Sequence, residues 1–192
     1  MSFYPLALFA HVLGVLMIFM VIGFEWVSLM RLRSARTIAQ VREYTGLITV
    51  QERLLVVGGL LLLSGGLYMT ATHWGWGTAW ILVALVTLLM QGALAVVVHT
   101  PRFKAIRAAA EASEGSKESS MIPARVEQRI SDPILWLSVQ AHGITALGVL
   151  FLMTNKPNLV GSLITLAVAL IISGVTAWLW RPRRGTLSIQ LR

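Results

Sequence analysis

No cysteine occurs among the 192 residues. Disulfides, thiolate haem ligation and cysteine-held iron–sulfur clusters are therefore excluded, and His, Glu, Gln and Tyr remain as the side chains able to carry chemistry. Charge is also scarce: Asp, Glu, Lys and Arg together make up 12% of the chain, against 56% apolar residues and a mean hydropathy of +0.75. A soluble domain of this length needs far more charge to cover its surface, so the bilayer is the natural solvent. Zinc-like ligand spacing is missing, as is any Ser–His–Asp arrangement that sequence alone could support. A non-enzymatic role is expected.

What the chain has in quantity is apolar run length. Five segments can span, at approximately 5–30, 54–72, 78–99, 133–154 and 159–180, since about 20 residues cross a hydrocarbon core of roughly 30 Å. The expected fold is all-α, a multi-pass membrane bundle of five helices forming one unit over residues 1–180. A loop with short helices is expected over 100–132 and a basic tail over 181–192.

The net charge of +8 is a topology signal. Arg31, Arg33, Arg36, Arg42 and Arg53 follow the first segment, and Arg102, Lys104, Arg107, Lys117, Arg125 and Arg129 follow the third. Arg181, Arg183, Arg184 and Arg192 follow the fifth, which leaves Lys156 alone on the other side. The positive-inside rule then places the N-terminus outside and the C-terminus in the cytoplasm of a bacterial inner membrane. No nucleic-acid partner is needed to explain the basic excess. The first segment lacks a basic leader and a small-residue cleavage site, so it is expected to remain as a helix.

The connections carry helix signals of their own. "TPRFKAIRAAAEA" and "IPARVEQRI" each begin with a proline suited to a first helical turn, and "SDP" supplies a cap and a first-turn proline for the fourth segment. "SEGSKESS" reads as a flexible linker. Gly58–Gly59 and Gly65–Gly66 recur seven residues apart, an arrangement that permits close helix packing or leaves room for a flat cofactor; packing is the simpler reading. Trp74, Trp76 and Trp80 at one boundary and Trp178 and Trp180 at the other fit aromatic belts.

Polar residues can be placed by depth at about 1.5 Å per residue. His142 lies about 13 Å from its helix end, Gln91 and Ser173 about 12 Å, and Glu25 about 9 Å, all measured from the basic side. These four are expected to form a buried polar layer, because an unpaired polar group in hydrocarbon costs several kcal/mol. Gln91 and His142, at equal depth, are expected to meet. Glu25 and His142 are close enough in height for a proton relay, although a structural layer would use the same residues. His11 belongs to a second set nearer the other surface, with Tyr68 and Ser162. His11 and His142 are the candidate ligands for haem b, as a pair or singly. His73 and His99 fall at helix ends, where water or headgroups would solvate them.

The stretches "FAHVLGVLMIFMVIGFEWVSLMRLR", "LLLLSGGLYMTATHWGWGTAWILVAL", "HTPRFKAI" and "LFLMTNKP" together resemble an uncharacterised bacterial family of predicted integral membrane proteins, over about residues 6–157. The early histidine of the first helix, His11, is more distantly similar to that of the copper-resistance D-type membrane domains and of the haem-binding protoporphyrinogen oxidase type. That resemblance implies His11 as a haem ligand. The preferred functional reading is a non-catalytic accessory or partner-binding bundle in contact with lipid and other membrane subunits. A haem-b redox protein using His11 and His142 is the alternative, and a small transporter or proton-path protein is third.

Overall fold

The computed structural model describes residues 3–46, 48–113 and 122–180. All regular structure among them is helical. Helix α1 runs Tyr4–Ser34, α2 Ile38–Gly46 and α3 Ile48–Met69, the last continued by a π-helical turn, Thr70–Trp74. Helix α4 (Ala79–Leu94) passes through a second π turn, Ala95–His99, into α5 (Thr100–Glu111). Helices α6 (Ala124–Ile130), α7 (Pro133–Asn155) and α8 (Leu159–Leu179) complete the bundle.

Five helical runs are long and apolar enough to cross a membrane. Their outer faces are apolar as well: Leu6, Leu60, Met90, Val97 and Ile171 are all at least 65% exposed. Such a surface is untenable in water and is what lipid requires. The helices extend beyond the apolar runs. Hydropathy falls at the membrane surface, but Arg, Gln and Glu are good helix formers, so the backbone ladder continues. Residues of the basic tail and Lys117 lie outside the described residues.

Two close approaches organise the bundle. Helix α1 packs along α3 through Gly14, Gly58 and Gly65, where a Cβ on Gly14 would lie 2.6 Å from the Gly58 carbonyl oxygen. Gly66 sits against the His11 ring, and Gly59 has nothing within 4 Å of its absent side chain. Of the four α3 glycines Gly58, Gly59, Gly65 and Gly66, two serve the helix contact directly and one admits an imidazole. At the basic end, α2, α5 and α6 fold into a cap. Ile38, Val41, Phe103, Ile106, Val126 and Ile130 bury against Leu29, Leu32, Leu135 and Trp136 of the spanning helices. The Trp136 indole donates to the Ala177 carbonyl at 3.1 Å, and the Arg33 guanidinium stacks 3.9 Å from the Trp136 ring centroid. This cap closes one end of the bundle over its polar interior.

The turns at the opposite end are made by particular residues. Gly75 takes φ +80 after the π turn, a conformation that favours glycine. Lys156 adopts the left-handed region to end α7, and the Asn158 side chain accepts from the Gly161 N–H at 2.9 Å to start α8.

Candidate functional site

Glu25, His99 and His142 converge beneath the cap. Each comes from a different helical run, and their exposures are 7%, 3% and 4%. Glu25 Oε1 is 2.5 Å from His99 Nδ1, and Glu25 Oε2 is 3.4 Å from His142 Nδ1. The two imidazole centroids are 5.4 Å apart, with planes inclined at 45°. One donor atom from each of the three side chains can be chosen so that all lie within 4.8 Å of one another.

The ion-pair distances are short, but the ring orientations do not match them. Neither nitrogen of His99 nor Nδ1 of His142 has a hydrogen bond of acceptable geometry, although all three atoms are buried. The two Nδ1 atoms are close enough to Glu25 for charge pairing but do not meet hydrogen-bond alignment. A hydrogen bond needs alignment as well as proximity, so these nitrogens lack one even though each Nδ1 lies within ion-pair distance of Glu25.

Local structure explains how the three are held. Pro101 has no N–H and crowds the turn before it, which disrupts the α-helical ladder there. The chain accommodates it with the π turn Ala95–His99, and the Arg102 Nη1 donates to the Val98 carbonyl at 3.3 Å. A π turn rotates the residues that follow it relative to an unbroken helix, and His99 is its last residue. Arg102 Nε also donates to Asp132 at 2.9 Å, while the other Asp132 oxygen accepts from Ile134 N–H at 2.8 Å as the N-cap of α7. One carboxylate thus ties the run carrying His99 to the helix carrying His142.

The remaining polar residues take other partners. Gln91 donates to the Thr145 hydroxyl at 2.6 Å, so it meets α7 three residues beyond His142. Equal depth put the two helices in register, but azimuth around α7 selected Thr145. Ser173 is 1% exposed and donates within its own helix to the Ala169 carbonyl at 2.7 Å. Trp26 Nε1 donates to Gln140 at 3.0 Å, a link between α1 and α7 that depth alone does not reveal. His11 stands apart. Its Nδ1 is 2.8 Å from the Leu62 carbonyl oxygen, and it precedes Glu25 by fourteen residues of one helix, about 21 Å of rise. Since His142 touches Glu25, the structure does not bring His11 and His142 together. His11 instead lines an apolar cavity of about 740 Å³ with Phe19, Leu62, Trp74, Trp80 and Lys156.

His99 is the residue that depth reasoning passed over. Its apolar run ends there, which suggested solvation at a boundary, yet the helical run continues to Glu111 and the cap covers it. The signal was the proline of "HTPRF": a proline two residues after an otherwise boundary histidine marks a bend in a continuing helix.

The sequence profile of a family described as predicted integral membrane protein (DUF2269) matches residues 5–157. The chain belongs to this family. The matched span contains all of Glu25, His99 and His142 and ends before α8. No curated protein and no solved structure matches the chain. It is a multi-pass integral membrane protein with five candidate spans.

Proposed function

We propose that this protein is a cation-binding component of the bacterial inner membrane, oriented N-out and C-in, with Glu25, His99 and His142 as its binding centre. The observation that carries this reading is the set of buried imidazole nitrogens left without hydrogen bonds beside a buried carboxylate. A packing network would satisfy them, as Gln91–Thr145 and Trp26–Gln140 are satisfied. Ionisable residues inside a membrane bundle are costly and typically mark ion or substrate sites. The accessory role is then confined to those neutral bonds, which give specificity to helix packing.

The test is the triple variant Glu25→Leu/His99→Leu/His142→Leu, melted without added ions. Replacing a buried ionic cluster by apolar side chains of similar volume is often neutral or stabilising by about 1–4 kcal/mol. A binding centre predicts unchanged or raised thermal stability. A folded protein that melts well below the wild type would establish the cluster as structural and overturn the proposal.

A second reading has its own support. The His11–Leu62 bond orients one imidazole nitrogen onto a backbone carbonyl, the arrangement that leaves the other nitrogen for a metal, and the adjoining cavity is apolar and large. Haem b held by His11 is consistent with both features.

A further inference from the structure

Cation binding at the cluster leaves the kind of cation open, and the assignment of a metal class rests on that reading. The whole centre contains one carboxylate and two imidazoles, with no second carboxylate and no ring of carbonyl oxygens among its three members. Alkali ions, Ca²⁺ and Mg²⁺ take oxygen ligands, commonly six or more, whereas imidazole suits Zn²⁺, Cu²⁺, Ni²⁺ and iron. We infer that Glu25, His99 and His142 form a mononuclear site for a divalent first-row transition metal, buried within the membrane bundle.

One of the two Glu25–histidine distances matches this chemistry and the other is shorter than it requires. Ligand bonds of about 2.0–2.2 Å in a tetrahedral site put donor atoms roughly 3.3–3.5 Å apart. Glu25 Oε2 and His142 Nδ1 are 3.4 Å apart, and the 2.5 Å between Glu25 Oε1 and His99 Nδ1 has to widen by about 1 Å. The His99 and His142 nitrogens that lack an aligned hydrogen bond are the independent observation, since a metal would engage donor groups that the protein leaves unsaturated. The carboxylate offsets one of the two charges of a divalent ion, and an anion at the free coordination position would offset the other.

Three protein donors leave at least one coordination position free. That is the pattern of sites that exchange metal or admit a small ligand, in contrast to closed four-ligand structural sites. The Arg102–Asp132 link does not touch the metal position. It positions the two histidines relative to each other, and its loss would act on affinity through geometry.

The experiment uses the full chain in detergent, purified without a polyhistidine tag and stripped with chelator. Cobalt(II) titration followed by visible absorption should show one ion per protein with a low-symmetry ligand-field spectrum, and zinc(II) should displace it. His99→Ala, His142→Ala and Glu25→Gln should each weaken cobalt binding by about 100-fold or more, at least the loss known for removing a supporting partner of a ligand. His73→Ala should leave it unchanged. Copper(II) loaded into the wild type should show hyperfine coupling to two nitrogens by electron paramagnetic resonance, a reading that needs no variant to fold. Wild-type protein that takes up none of these metals overturns the inference. So does binding that persists in His99→Ala, or copper coupled to fewer than two nitrogens. If metal binding is absent while the triple leucine variant remains stable, only the metal assignment falls.

Discussion

A methyl group at Gly14 is the smallest perturbation that tests the helix arrangement. Built onto the backbone, it would lie 2.6 Å from the Gly58 oxygen and 2.8 Å from Leu62 Cα. Carbon contacts are comfortable at about 3.5–4.0 Å, so α3 has to retreat by roughly 1 Å. Both obstructing atoms are backbone and cannot rotate away, which puts the cost in the upper part of the overpacking range, about 2–3 kcal/mol. Replacing a helical glycine by alanine returns about 1 kcal/mol of intrinsic preference. Gly14→Ala should therefore lose about 1–2 kcal/mol net. Gly59→Ala, on the same α3 but with nothing within 4 Å, should gain up to about 1 kcal/mol. The difference of about 2–3 kcal/mol corresponds to roughly 4–12 °C in melting temperature for a chain of this size. Circular dichroism melts of both variants in the same detergent measure it. Equal melting temperatures would refute the close α1–α3 contact.

Gln91→Leu removes the donor to Thr145, whose hydroxyl keeps its bond to the Ala141 carbonyl. The expected loss is about 0.6 kcal/mol, the average for membrane hydrogen bonds, and a double-mutant cycle with Thr145→Val should show coupling of that size. A coupling of zero would place Gln91 elsewhere. For orientation, a reporter fused after Arg192 should read cytoplasmic and one inserted in "NKPN" periplasmic; the reverse pattern would invert every statement about sides. On the haem reading, protein expressed with haem supplied should be coloured, and His11→Gln should bleach it because glutamine is not an axial ligand in the usual haem sites. Colourless wild type would retire that reading.

The sequence alone was sufficient for the class of molecule. Five apolar runs and a 12% charge content permit only a helical bundle in lipid, because hydrocarbon demands that each spanning segment satisfy its own backbone. It also marked Glu25, Gln91, His142 and Ser173 for burial, and all four are buried. Depth is one-dimensional information, and a helix reports it faithfully at a fixed rise per residue. The partners of those residues depend on azimuth and on departures from the ideal helix, neither of which hydropathy records. The π turn before Pro101 brings His99 to Glu25, and the angular position of Thr145 draws Gln91 one turn away from His142. The cap over the basic end required the tertiary structure as well. Ile38, Ile106 and Val126 sit among charged residues in sequence and gain a shared core only when α2, α5 and α6 fold back on the spanning helices. That cap is the reason a histidine at the end of an apolar run is buried, and helix packing is what gathers three residues far apart in sequence into one buried cluster.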